Sequence, residues 1–341
     1  MWDVFGQDVA LNHLVTAFEK NSLHHAYLFS GPQQVGKKLM AINLAQALNC
    51  ESENAPCGGC DSCRRIENFI HADVCLIDMQ SFDDELDNRK VITTEEIKEI
   101  QPFIHLPPFE GKMKVIILDG VEMFSAHAAN RLLKNLEEPP PKVTFILLAE
   151  VKESVLPTIL SRCQHIEFKR TPYDKLTSWL CERGEVELST AKLVSHLSGG
   201  RPGWALSALK QDDFLSSYIE QRDRLLHLFN ADRSERFGYA EKMAAKFSSD
   251  RFLVMDELKC WKTLARDVLF MKYGLEDKII NCDALDKLHE LAERCHPSNI
   301  SNILGAIEET EYQLHRNVSP RLALESLMLG LECLQRISIK L

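Results

Sequence analysis

No run of apolar residues in this 341-residue chain approaches the length of a membrane-spanning helix, which argues against a membrane-embedded protein. A basic surplus is missing too: the formal net charge is −10. A protein that held nucleic acid by its phosphates unaided would carry a positive excess, so any DNA contact is expected to be local or shared with basic partners. The opening residues Met1-Trp2-Asp3-Val4-Phe5-Gly6-Gln7 lack the basic-then-apolar pattern of a secretory leader, and a cytoplasmic protein is expected. Internal repeats and low-complexity linkers are absent as well. What is present is ordinary for a folded soluble chain, with 45% hydrophobic and 26% charged residues, and the length suffices for two or three domains.

Cysteine is not scarce, and its distribution is informative. Four of the eleven cysteines fall within fourteen residues, as Cys50, Cys57, Cys60 and Cys63 in a C-x6-C-x2-C-x2-C arrangement. Four thiolates closing a tetrahedron make a structural zinc site with no open position for catalysis. Gly58 and Gly59 supply the backbone freedom for the first tight turn. Four unrelated thiols and an iron–sulfur centre are the poorer alternatives. The other seven cysteines are scattered and read as reduced core residues. His71 and Cys75 lie nearby in sequence but fit better in or beside a strand.

Residues 1–170 alternate short apolar runs with amphipathic stretches. Strands are predicted at 26–30, 74–77, 115–118, 143–148 and 164–168. Between them, a helix is expected with Leu39, Ile42, Ala45 and Leu48 on one face. Another is expected beyond a capping box of Thr93 and Glu96, carrying Ile97, Ile100 and Ile104. A third should start at Ser125, bury Ala129, Leu132, Leu133 and Leu136, and stop at Pro139-Pro140-Pro141. The alternation predicts an α/β domain with a mostly parallel sheet. Past residue 171 the strand signals fade. Short helical patterns reach about 209, interrupted by Gly199-Gly200-Arg201-Pro202-Gly203, and 210–341 is helical by period.

Gly31-Pro32-Gln33-Gln34-Val35-Gly36-Lys37-Lys38 follows the first strand and opens a helix, matching Gly31, Gly36 and Lys37 to a phosphate-binding loop. Backbone N–H groups and the helix N-terminus would surround phosphate oxygens, with Lys37 reaching the terminal phosphates. The position that should carry a magnesium-binding hydroxyl is Lys38, whose ammonium would repel a metal. The third strand ends at Asp119, the expected Walker B acid. Gly120 then stands where hydrolysing relatives have a water-polarising glutamate; Glu122, two residues on, is expected to point elsewhere. Phosphoryl transfer depends on metal, water and charge placement, so hydrolysis by this chain is not expected. Nucleotide binding without turnover, or a purely structural loop, remain open.

Beyond the fourth strand, Leu156-Pro157-Thr158-Ile159-Leu160-Ser161-Arg162-Cys163 ends in an S-R-C element. With it, Val4-Phe5-Gly6-Gln7, the four-cysteine insertion and Asn130-Arg131-Leu132-Leu133-Lys134-Asn135-Leu136-Glu137-Glu138-Pro139 resemble the clamp-loader branch of AAA+ proteins, and within it the delta-prime type of bacterial DNA polymerase III. The resemblance covers the first 205 or so residues well, through Trp204-Ala205-Leu206, and the helical remainder loosely, where 317–329 resembles the end of a collar domain. It implies an AAA+ P-loop domain over 1–170 with a zinc module at about 50–63, a small helical lid over 171–209, and an all-α collar over 210–341. It also implies that Arg162 acts in trans as an arginine finger on a neighbour's ATP, with Arg201 a weaker nucleotide sensor and Ala149-Glu150 lacking the usual sensor hydroxyl. ATP would be bound passively here or only by the neighbour. The implied partners are the motor subunits gamma/tau, the delta subunit, the sliding clamp and primer–template DNA, the last near Arg131 and Lys134, whose plainer reading is a solvated basic face. No polymerase site is identified. The rival readings are an ATP-hydrolysing motor subunit and a zinc-containing adaptor outside replication.

Overall fold

The computed structural model describes residues 2–78, 94–184, 186–315 and 318–331. The helices are α1 (Asp8–Glu19), α2 (Lys37–Asn49), α3 (Asp61–Glu67), α4 (Thr94–Glu99), α5 (Gln101–His105), α6 (Ala126–Glu137), α7 (Pro157–Leu160), α8 (Tyr173–Gly184), α9 (Leu188–Leu197), α10 (Pro202–Lys210), α11 (Asp212–Leu228), α12 (Arg233–Ser249), α13 (Arg251–Lys272), α14 (Leu285–Arg294), α15 (Pro297–His315) and α16 (Pro320–Gly330). The strands are β1 (Ala26–Ser30), β2 (Val74–Ile77), β3 (Lys114–Asp119), β4 (Val143–Ala149) and β5 (Gln164–Glu167). Thr93 lies outside the described residues, so the predicted capping box does too.

The chain divides into two compact units. One comprises residues 1–176 with 200–204, the other 177–199 with 205–341. The first is built on a five-stranded, wholly parallel sheet in the order β2-β3-β4-β1-β5. Side chains alternate across it, as the twofold period of a strand requires. Leu28, Ile116, Leu118, Phe145 and Leu147 face one side, against Ile97, Ile104, Leu132 and Leu136 from α4 to α6. Tyr27, Phe29, Val115, Ile117 and Ile146 face the other, against Leu14 of α1 and Met40, Ala41 and Leu44 of α2. β1 and β4 are buried along their whole length, which is why they read as continuous apolar runs. Each fully buried Leu or Phe contributes about 2 kcal/mol against the cost of ordering the chain.

Two details differ from expectation. The stretch predicted as one helix beyond Thr93 is split into α4 and α5, with Pro102 in the first turn of the second. α2 does not turn Leu39 inward: Leu39 is 44% exposed, and the helix instead buries Met40, Ala41, Leu44 and Ala47. Its polar Gln46 and Asn49 are buried too, because the cysteine module and the loop before β3 pack over them: Gln46 Nε2 donates to the Cys63 carbonyl and Asn49 Oδ1 accepts from the amides of Lys112 and Met113. The start of α6 is as expected, with Ser125 Oγ accepting from Ala128 N at 3.1 Å.

Among the described residues, the regular elements of the second unit are all helices. Its core gathers on α13, where Trp261, Leu258 and Leu264 meet Phe229, Ala240, Leu288, Ile303 and Leu327 from the surrounding helices. A buried carboxylate at Asp267 ties down the following connection by accepting from the amides of Ile280 and Asn281 and from Asn281 Nδ2. No helix among the described residues is long and apolar enough to cross a membrane.

Candidate functional site

The phosphate-loop residues sit at the carboxyl edge of the sheet, where parallel α/β folds place their ligands. Gly31 follows β1 with φ +143°, and a Cβ there would lie 2.2 Å from the Phe168 carbonyl oxygen, so only glycine fits. Gly36 caps α2, whose axis points at the loop. Three sets of hydrogen bonds hold the loop in place. Gln7 Nε2 donates to the Val35 carbonyl at 3.2 Å and to the Lys169 carbonyl at 2.7 Å, while Lys169 N donates back to Gln7 Oε1. Gly203 N donates to the Gln34 carbonyl at 2.9 Å. Lys37 is only 8% exposed, and its ammonium donates to the carbonyls of Gly31 and Pro32.

The metal side of the pocket is different in kind. Ile77 of β2 and Leu118 of β3 are register partners, so the next residues, Asp78 just past β2 and Asp119 at the end of β3, leave the sheet at the same edge. Lys38 Nζ lies 3.1 Å from Asp78 Oδ2 and 4.0 Å from Asp119 Oδ2. Burial pushes the Asp119 carboxyl above the usual range, Lys38 and Lys37 pull it down, and Asp78 pushes it up again. Magnesium chemistry does not fit this donor set, because the hydroxyl it needs is an ammonium that itself neutralises the acids.

Gly120 adopts φ +78° and ψ 46°, the left-handed region. Glutamate would have room there, since the nearest atom to an added Cβ is Met123 Sδ at 3.8 Å. The backbone, however, would be strained by about 1–2 kcal/mol. Gly120→Glu is therefore expected to lower stability by that order without conferring ATP turnover; steady hydrolysis by the purified variant would contradict this. Glu122 turns onto the end of β4, where its Oε1 accepts from Glu150 N at 3.0 Å. Burial raises its carboxyl above the usual range. Glu150, at the expected sensor position, accepts from Gln33 Nε2. Arg201 lies with its guanidinium carbon 5.8 Å from the Trp204 ring centroid.

The four cysteines converge. Their sulfur atoms all lie within 4.8 Å of one another, with Cys50–Cys60 and Cys57–Cys63 each at 4.0 Å. Four sulfurs at about 2.3 Å from a central zinc would stand about 3.8 Å apart, so the arrangement fits a tetrahedral ion. Backbone amides already point at the sulfurs: Ser52 N at Cys50, Cys60 N at Cys57 and Cys63 N at Cys60, at 3.3–3.4 Å. Donors of this kind favour thiolates and lower the Cys57 thiol to about 6, while burial and the neighbouring thiols raise Cys63 to about 12. The cluster could hold a metal such as zinc. His71 and Cys75 stay outside it: Cys75 is in β2, and His71 Nδ1 accepts from Asp73 N. Asp73, fully buried, accepts from the amides of Phe109, Glu110 and Gly111 and fixes the loop beside the module. Burial opposes its charge, but those three donors and Lys114 outweigh it and hold the carboxyl below the usual range.

Arg162 lies between α7 and β5, and a third of its side chain is exposed. Its Nη2 is 2.6 Å from Glu137 Oε1 at the end of α6, and its Nη1 donates to the Thr158 carbonyl and Ser161 Oγ. Arg131 and Lys134 project from the exposed face of α6. Asp78 had no motif to single it out, and Glu137 stood in the 130–139 motif with no role attached to it; sheet register finds the first and tertiary packing gives the second its partner.

Residues 6–172 match the family described as "DNA polymerase III, delta subunit", and residues 216–333 match its C-terminal family. The delta' subunit of DNA polymerase III from Bacillus subtilis is 28% identical over 94% of this chain and 94% of its own length. The gamma subunit from Buchnera aphidicola subsp. Schizaphis graminum is 31% identical over 85% of this chain and 76% of its own. The tau subunit from Escherichia coli is 29% identical over 96% of this chain but 50% of its own, so the chain spans about half of that relative. Among solved structures, a gamma-subunit-related protein from Thermotoga maritima aligns over 94% of this chain and 99% of its own, with 15% identity and a TM-score of 0.43.

Proposed function

Because this chain belongs to the clamp-loader subunits of DNA polymerase III, a DNA-replication family with an AAA+-like fold, we propose that it is the delta-prime-type, non-motor member of that assembly. In this role it joins gamma/tau motor subunits and the delta subunit in a hetero-oligomeric ring in the cytoplasm, which opens the sliding clamp and loads it on primer–template DNA. Its own parts are a P-loop domain over 1–170, a lid over 171–209 and a collar over 210–341 that holds it in the ring. Zinc is structural and is held by Cys50, Cys57, Cys60 and Cys63. Gly31, Gly36, Lys37, Asp119 and Arg201 form a relic of a nucleotide site.

The observation that carries the choice of a non-motor role is Gly120, left-handed where a motor subunit needs a carboxylate to polarise water. What the chain contributes instead is Arg162. Its planar guanidinium, at the surface and short of the core, can present two N–H groups to the oxygens of a phosphoryl group in a neighbour's pocket, offsetting the charge that spreads there during transfer. Leaving Glu137 is cheap, since a part-exposed ion pair is worth about 1 kcal/mol or less.

ATP turnover by the isolated chain tests the non-motor part of the reading. No turnover above a Lys37→Ala control is expected. Steady hydrolysis abolished by that substitution would identify a motor subunit instead. Clamp loading reconstituted with and without this chain tests membership in the working complex, and loading that proceeds equally well without it would point to the zinc-adaptor alternative.

A further inference from the structure

We propose that Lys38 is a tethered cation standing in for the divalent metal of this pocket, so that the pocket refuses magnesium and metal-bound nucleotide. The inference deepens the reading of residues 31–38 as a phosphate loop and is independent of what Arg162 does.

Asp78 follows β2 and Asp119 ends β3 at the same edge of the sheet, and two carboxylates so placed repel each other unless a cation joins them. In this chain the cation is covalently attached. Lys38, the second residue of α2, places Nζ 3.1 Å from one acid and 4.0 Å from the other, with the Phe69 ring centroid 5.6 Å away. Attachment gives the ammonium a high effective concentration at the acids, so a dissolved ion must compete with a group that never leaves. A divalent ion would also have to sit beside two ammonium groups, Lys37 and Lys38, the second of them already facing Asp119 at 4.0 Å. Like charges crowded into one pocket repel, and both ammonium groups would oppose the ion. A surface lysine answering one stray acid would have no such consequence. This one follows the phosphate-loop lysine directly and faces the acid that ends β3.

The test is Mn2+ binding by the full-length, zinc-loaded chain, followed by electron paramagnetic resonance with and without ADP. The unaltered chain and Lys38→Arg, which keeps the charge, should take up no Mn2+ that depends on Asp119. Lys38→Thr, which supplies the usual hydroxyl, should bind Mn2+ at least tenfold more tightly, and adding Asp119→Asn should remove the gain. Should Lys38→Thr fail to fold, Lys38→Met removes the charge while keeping the side-chain stem and should show the same direction. The proposal is overturned if the unaltered chain binds Mn2+ in an Asp119-dependent way. It is equally overturned if removal of the Lys38 charge leaves Mn2+ affinity unchanged.

Discussion

Replacing Arg162 by alanine is expected to lower ATP turnover at the one pocket it completes by about a thousandfold or more, the scale on which arginine fingers act. In a reconstituted complex with several active sites, total turnover would fall by that pocket's share, and clamp loading would fall with it if the sites fire together. Assembly should be untouched. The side chain is a third exposed, and its bonds to Glu137, Thr158 and Ser161 lie at the surface, so the substitution removes little folding energy. Arg162→Lys separates charge from geometry: it keeps the positive charge and loses the fork of N–H groups, and should recover only a small part of the rate. Steady-state ATPase against the same complexes, with subunit composition checked by light scattering, decides it. Equal turnover in the alanine complex would remove the trans role.

Stripping the metal should produce the largest loss of stability. Cys63 and Cys50 are fully buried, and the module is stitched to α2 and the loop before β3 through Gln46, Ser62, Asn49 and Lys112. Without an ion, four sulfurs crowded at about 4 Å have no common partner, and the tight turns between them lose the reason for their shape. One zinc per chain is expected in purified protein. A strong chelator or Cys63→Ser should lower the melting temperature by on the order of 10 °C, equivalent to about 3 kcal/mol or more for a unit of this size. Cys181→Ser, outside the cluster, should change it little. Metal-free protein that melts at the same temperature would mean the cysteines are not a zinc clip.

Both candidate sites were largely legible in the sequence because each is local. The cysteine spacing and the strand–glycine–lysine–helix order are set by residues within one turn and one loop, and the structure brings those residues together. β1, β3 and β4 were visible as apolar runs because a parallel sheet covered on both faces buries nearly every side chain of its inner strands, whereas β5, at the sheet edge, is polar at three of its four positions. What escaped the sequence is what depends on a distant segment. Leu39 is apolar and in phase with Ile42, yet it faces out, because the inward face of α2 is set by Met40 and Leu44, with polar Gln46 taken by the cysteine module and Asn49 by the loop before β3. Asp78 becomes significant only when the register of β2 on β3 puts it next to Asp119. Glu137 reads as an exposed helix-end acid until folding sets it against Arg162, 25 positions away by numbering. Asp73 gives no pattern at all, though it accepts three amides from the loop at 109–111.

The most direct measurement is a structure of the reconstituted assembly with ADP and beryllium fluoride in the motor subunits. The account predicts that Arg162 has left Glu137 and points its guanidinium into the adjoining motor subunit, within hydrogen-bonding distance of the fluoride that mimics the terminal phosphate. An Arg162 still bound to Glu137, with that neighbouring pocket completed by some other side chain, would contradict it.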